Sequence, residues 1–270
     1  MSTTRNSTIG VLHPGAMGAA VARALASNGH DVGWCREGRS DETAHRASGL
    51  REFSTLLDLC TWADTMVSVV PPHAAIEMAR DAAGVGFRGT YVDANAISPA
   101  TAASVRAAVE QSGATYVDGG IIGPPPTEPA GSRLYLAGEG ASDVAALFEG
   151  STFGAPVLEG SGEYAASALK MVYAAWTKGS AAMLLATAST AESLGVLDAL
   201  KAEWNHSVPD LAARYQRTSG GVLPKAWRYV GEMLEIAATF ESAGQPGGFH
   251  QSAAAVYQRV ADDNPRTPDP

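Results

Sequence analysis

The chain has 270 residues, of which 46% are hydrophobic and 17% charged, with a formal net charge of −9. That length supports one large or two modest domains with a sizeable core, and the acidic balance argues against nucleic acid or an anionic membrane as partner. Cys35 and Cys60 lack metal-ligand spacing, so no metal is expected and both read as reduced thiols of a cytoplasmic protein. No run of about 18 apolar residues predicts a membrane span, and residues 1–7 are too short and polar for a signal peptide.

The short apolar run Thr8-Ile9-Gly10-Val11-Leu12 leads into His13-Pro14-Gly15-Ala16-Met17-Gly18, and a segment of helical period follows to Asn28. Strand, tight turn and helix open a dinucleotide-binding βαβ unit. Gly15 and Gly18 take the second and third places of G-x-G-x-x-G, while His13 stands at the first. A glycine at the second place lets a pyrophosphate approach the N–H groups at the helix N-terminus, and one at the third lets the helix pack on the strand. His13, Pro14, Gly15, Ala16, Met17 and Gly18 are therefore the expected phosphate turn, with His13 either donating to a phosphate or shaping the turn.

Gly29-His30 closes that helix, and Asp31–Cys35 is the second strand. The residues after it read Arg36-Glu37-Gly38-Arg39-Ser40. Two guanidinium groups and a hydroxyl (Arg36, Arg39, Ser40) suit a 2′-phosphate and point to NADP over NAD, with Glu37 as a competing ribose contact. Helices are expected over Asp41–Ala47, Thr55–Thr61, His73–Ala83 and Ala100–Gln111. Strands are expected over Leu50–Phe53, Met66–Val70, Thr90–Ala94, Thr115–Asp118, Leu134–Ala137 and Pro156–Leu158. Ser98 before Pro99 reads as a helix cap, and Gly119–Pro126 as a loop of special backbone geometry. The alternation predicts an α/β fold, a Rossmann-type doubly wound parallel sheet over residues 1–160.

Gly160-Ser161-Gly162 is a hinge-like linker. From Glu163 to Leu197 apolar residues fall on nearly every helical face, which predicts a helix buried on all sides. It is the spine of an all-helical domain over 161–270, with further helices at Ala199–Trp204, Pro209–Arg217, Leu223–Ala243 and Gly248–Asp262. So apolar a spine suggests a homodimer completed through the helical domain. The Pro-rich tail from Asn264 is expected to be disordered.

Several stretches together resemble the β-hydroxyacid dehydrogenases, among them 3-hydroxyisobutyrate and 6-phosphogluconate dehydrogenase. They are Ile9-Gly10-Val11 with Gly15-Ala16-Met17-Gly18, Gly29-His30-Asp31-Val32, Ala63-Asp64 before Val70-Pro71, Asp93-Ala94-Asn95-Ala96-Ile97-Ser98-Pro99, and Lys170-Met171-Val172. Lys225-Ala226-Trp227-Arg228 through Ile236 is similar to a divergent bacterial branch with a short helical domain. The resemblance implies a catalytic acid/base at Lys170 and cofactor contacts at Val70, Pro71 and Asn95. An ammonium in a largely apolar helix is costly unless it faces a polar cleft, and desolvation would draw its pKa toward neutrality.

Three departures separate the chain from the family. Tyr173 and Ala174 replace an asparagine one turn after the lysine. Ile122-Gly123-Pro124 stands where the family has Ser-Gly-Gly. Glu232-Met233 replaces a late Lys-Asp pair. Ile122, Gly123, Tyr173 and Thr177 are the expected substrate contacts. Trp204, Trp227, Arg228 and Tyr229 either line the cleft or belong to the core, and Glu192 pairs with a neighbour. The reading is an NADP-dependent oxidoreductase acting on a small hydroxy or keto, β-hydroxyacid-like substrate. Its cleft is expected between the domains at the C-terminal ends of the strands. An imine reductase or reductive aminase using NADPH is the second reading, and a non-catalytic NADPH-binding protein the third.

Overall fold

The structure is a computed structural model that describes residues 6–126, 131–222 and 225–264; the proline-rich tail beyond Asn264 lies outside them. The chain divides into two compact units, one running through Lys170 and the other starting at Met171. Composition places the division at the Gly160–Gly162 linker. Contacts place it inside the long helix, because that helix's first turn is bound to the sheet.

The first unit is built on eight strands: β1 (Thr8–Val11), β2 (Asp31–Cys35), β3 (Arg51–Phe53), β4 (Thr65–Ser68), β5 (Thr90–Asp93), β6 (Thr115–Ile122), β7 (Ser132–Ala137) and β8 (Phe153–Gly154). Their order is β3-β2-β1-β4-β5-β6-β7-β8. The first six are mutually parallel, β7 is antiparallel to β6, and β8 is parallel to β7. The fold is thus Rossmann-type with a parallel-dominated sheet. Helices α1 (Ala16–Ser27), α2 (Asp41–Arg46), α3 (Leu56–Trp62), α4 (Ala75–Gly84), α5 (Pro99–Val109) and α6 (Ala141–Leu147) pack on it. Side chains alternate across the sheet: Val92 and Val117 join Ile9, Val21 and Phe148 in one apolar layer, and Tyr91 and Tyr116 join Leu59, Met66 and Val105 in the other. Cys35 and Cys60 are buried free thiols, and burial pushes Cys60 up to about 12.

Two expectations are corrected here. Gly119 to Ile122 is not loop but the second half of β6. These glycines serve close packing rather than a turn: a Cβ on Gly119 would lie 2.8 Å from the Asp93 carbonyl oxygen, and one on Gly120 would lie 2.5 Å from that of Ala166. The strand foreseen at Pro156–Leu158 reduces to one bridge, Leu136 to Val157, with β8 just before it. Helix α6 answers to no sequence expectation.

The helix α7 (Ala165–Ser193) leads into α8 (Leu197–Ser207), α9 (Asp210–Val222), α10 (Ala226–Ser242) and α11 (Gly248–Asp263). In this second unit Trp204 packs with Leu184 and Ala188, and Met233, Ile236 and Tyr257 are buried. Helix α7 is not buried on all sides. Val172, Tyr173, Trp176 and Met183 are exposed, Trp176 by 72%. Within one chain the surrounding helices cover only part of its apolar circumference.

Candidate functional site

The turn between β1 and α1 is set by sterics. A Cβ on Gly18 would run into the His13 carbonyl, so this position admits no larger residue without moving the turn. The His13 ring lies over Gly15, with Nε2 3.0 Å from where a Cβ would be. Gly15 is the N-cap of α1, no side chain caps this helix, and its first turn holds no acidic residue. Its first N–H groups and the positive end of its dipole are therefore not taken up by a carboxylate. That cradle fits a phosphate.

Beside it, Arg39 Nη2 donates to the Leu12 carbonyl at 3.1 Å, and burial lowers the pKa of this guanidinium. Arg36 donates to the Arg39 carbonyl and pairs with Asp41 at 2.6 Å. Ser40 is the N-cap of α2, accepting from Thr43 N at 3.2 Å. Arg39 thus borders the turn, Arg36 is tied to Arg39 and Asp41, and the Ser40 hydroxyl already has a structural task.

The Val70-Pro71 strand end and Asn95 are joined. Asn95 is buried; its Oδ1 accepts from Val70 N at 2.6 Å and its amide donates to Ser68 Oγ at 3.1 Å. Asn95 N donates to Asp93 Oδ1 at 3.1 Å. The Asn95 side chain fixes a strand end. Ser98 is the N-cap of α5, as its position before Pro99 predicts.

Lys170 Nζ donates to the Ile121 carbonyl at 2.6 Å, which places the ammonium at the C-terminal half of β6. Ile122 is buried, whereas Gly123, Tyr173 and Thr177 are exposed, and the Thr177 hydroxyl donates back to the Tyr173 carbonyl at 3.2 Å. Ser132 donates to the Pro124 carbonyl just past β6. Of the late residues, Trp204 is core, Trp227 and Glu192 are exposed, and Tyr229 packs edge-on to Tyr257 with ring centroids 5.3 Å apart.

Three buried polar groups escaped the sequence reading: Asp93, Asp118 and Ser167. Both carboxylates are raised, chiefly by burial, Asp93 up to about 7. The Tyr116 hydroxyl donates to Asp93 at 3.4 Å. A signal was present: β5 and the first half of β6 carry the same tetrapeptide, Thr-Tyr-Val-Asp, paired residue for residue. Lys178 also escaped. It forms a buried ion pair with Glu232, its ammonium lies 4.4 Å from the centre of the Tyr229 ring, and Tyr257 Oη donates to its carbonyl at 2.7 Å. Where the family has a late lysine, this chain puts an acid that holds a lysine from α7. Among the described residues no three His, Cys, Asp or Glu side chains gather as metal ligands.

Residues 8–149 match the family model described as the NAD binding domain of 6-phosphogluconate dehydrogenase. The chain belongs to the β-hydroxyacid dehydrogenase family. Its later part, residues 191–260, matches a domain of unknown function (DUF1932). A curated relative of the chain is an uncharacterized 28.5 kDa protein in the 7S RNA 5′ region of Methanothermus fervidus, 32% identical over 173 residues. The match covers 63% of the chain and 65% of that relative, just under two thirds of its length.

Among solved structures, a conserved protein of unknown function described as similar to 3-hydroxyacid dehydrogenases is 27% identical, with a TM-score of 0.67 over 94% of this chain and 97% of that one. Mycobacterium tuberculosis 3-hydroxyisobutyrate dehydrogenase with L-serine shares the fold at 17% identity and a TM-score of 0.72, covering 96% and 95%. A reductive aminase from Aspergillus terreus, in complex with NADPH and ethyl-5-oxohexanoate, shares it at 16% and 0.58, again covering 96% and 95%.

Proposed function

We propose that this chain is an NADP-dependent oxidoreductase acting at the hydroxyl or carbonyl carbon of a small polar, β-hydroxyacid-like substrate, with Lys170 as general acid/base. The observation that carries the reading is the bond from Lys170 Nζ to the Ile121 carbonyl. It holds an ammonium beside the strand end at which doubly wound sheets receive their ligands. Nicotinamide, when bound, supplies or accepts the hydride. His13 to Gly18 would take the pyrophosphate at the uncapped end of α1, Val70 and Pro71 would border the dinucleotide, and Arg36 and Arg39 would take the 2′-phosphate. In oxidation Lys170, with its proton lost, accepts the proton of the substrate hydroxyl; in reduction its ammonium returns a proton to the oxygen.

The test is reduction of a panel of small keto acids and cyclic imines with NADPH and with NADH. Turnover of a keto acid that falls by about 10²- to 10⁴-fold in Lys170→Ala, with NADPH affinity unchanged, supports the reading. Full turnover by Lys170→Ala overturns the role of the lysine. Absence of hydride exchange with any carbonyl or imine leaves a nucleotide-binding protein.

Imine reduction is the second reading. The end of β6 and the loop after it favour it, since Ile122, the last residue of the strand, is buried and Pro124 in the loop offers no N–H. An iminium needs no carboxylate clamp. The like charge of a lysine ammonium beside an iminium counts against it.

Assembly belongs to the same proposal. The exposed line of Val172, Tyr173, Trp176 and Met183 on α7 supports a homodimer through the helical domain, because large aromatic side chains rarely face water together. No helix among the described residues is long and apolar enough to cross a membrane.

A further inference from the structure

The first turn of α7 is gripped by one carboxylate on β6. Ala165 N donates to the Gly162 carbonyl at 3.0 Å and Ala168 N to that of Tyr164 at 3.0 Å. Between them, Ser167 N donates to Asp118 Oδ2 at 2.9 Å. The Ser167 hydroxyl donates to the other oxygen, Oδ1, at 2.5 Å. Asp118 and Ser167 are fully buried. An acid on a neighbouring strand thus does what an N-cap residue does, and it also faces the positive end of the helix dipole.

This grip does more than end a helix. Two bonds from one residue to two oxygens of one rigid group fix rotation about the helix axis, whereas a single bond would act as a pivot. Lys170 follows Ser167 by three residues and therefore lies on the same face. On the strand, Asp118 and Gly120 point to one side. A Cβ on Gly120 would lie 3.1 Å from Lys170 Cβ, so the missing side chain lets the helix approach to this distance. Ile121 then receives the ammonium. Three positions within four residues of β6 specify where the lysine begins, how closely it approaches and where its charge ends.

We infer that Asp118, acting through Ser167, is a positioning residue that sets Lys170 in its working place. The inference rests on the proposed role of Lys170, and the two can fail separately.

The chain holds four lysines, Lys170, Lys178, Lys201 and Lys225. In full-length protein grown with lysine labelled at Cε and Nζ, four side-chain signals are assigned by single Lys→Arg changes. Ser167→Ala removes the hydroxyl bond and keeps the backbone one; Asp118→Asn keeps the shape and one acceptor; Ser167→Thr restores the hydroxyl. In both Ser167→Ala and Asp118→Asn the Lys170 signal should move while the other three stay, and Ser167→Thr should return it. Turnover should fall by about 10- to 100-fold with KM for substrate and affinity for NADPH within about twofold, since a misplacement near 1 Å is enough for such a loss.

A Lys170 signal unmoved in folded Ser167→Ala and Asp118→Asn overturns the inference. So do four signals that shift together with a collapsed melting transition, the mark of a merely structural carboxylate. A Lys170 signal that moves as stated, in a protein whose Lys170→Ala variant keeps full turnover, upholds the positioning and removes the acid/base role.

Discussion

Asp93 and Asp118 stand as direct partners in the β5–β6 register, each closing an identical Thr-Tyr-Val-Asp strand segment. Parallel pairing in register places two buried carboxylates side by side on two interior strands of the sheet. The Asp118 charge adds to the cost of charging Asp93, which the Tyr116 hydroxyl bonds. Asp93, pushed up to about 7 chiefly by burial, keeps its proton in the folded state well above the pH at which the unfolded chain loses it. Between those two values the native state binds more protons, so stability declines as pH rises. Thermal melts of the wild type should show this decline from pH 5 to pH 8, and Asp93→Asn should flatten it. At pH 8 the variant should be the more stable by on the order of 2 kcal/mol. Parallel pH profiles of the two proteins would contradict the assignment.

Arg39 and Arg36 should separate the two nicotinamide cofactors. Removing one charge-assisted bond to a phosphate costs about 1.5–3 kcal/mol. Arg39→Ser should therefore weaken NADPH binding by about 10- to 100-fold and leave NADH nearly unchanged. Fluorescence titration with both nucleotides reads the difference. An equal loss for both would assign Arg39 to the support of Leu12 alone.

The Lys178–Glu232 pair tests a different balance. Breaking a buried ion pair from one side costs up to about 3–5 kcal/mol, whereas replacing both partners with apolar residues is often near neutral; Arg228, 3.7 Å from Glu232, leaves the acid a second cation when Lys178 is removed. Lys178→Met and Glu232→Leu should each lower the denaturant midpoint, and the double variant should regain most of the loss. Additive losses would indicate that the two charges contribute separately.

Trp176 should control assembly. Trp176→Glu puts a carboxylate in the exposed apolar line of α7, and sedimentation should then report a smaller species than the wild type. A wild-type chain that already sediments at 27.8 kDa would remove the dimer.

How much of this was legible varies with the physics of each element. Strand β2 was read to the residue, since an apolar run bounded by Gly-His and a charged loop leaves little choice. The turn was legible at Gly18 because the His13 carbonyl lies too close for any side chain there. Gly119-Gly120 was misread for the same reason: glycine serves turns and tight packing alike, and sequence does not distinguish a loop from a strand pressed against a helix. Ser40 and Asn95, expected to contact the cofactor, also carry structural bonds, to Thr43 and to Val70 and Ser68. Local spacing cannot reveal the Val70 partner, 25 residues away from Asn95. The exposed face of α7 could not be foreseen from composition, which reports how apolar a helix is and not what covers it.

Strand β6 has a parallel neighbour on one side and an antiparallel neighbour on the other, so its register is held from both edges. Side chains alternate along it, and a slip of one residue would turn Asp118 and Gly120 to the opposite face and offer α7 Val117 and Gly119, or Gly119 and Ile121, instead. The set of sequences able to place a lysine in this way is therefore limited in length between Asp118 and Ile121 while remaining free beyond Ile122. The segment after the strand can be lengthened or rebuilt while the Lys170 ammonium stays at its original coordinates.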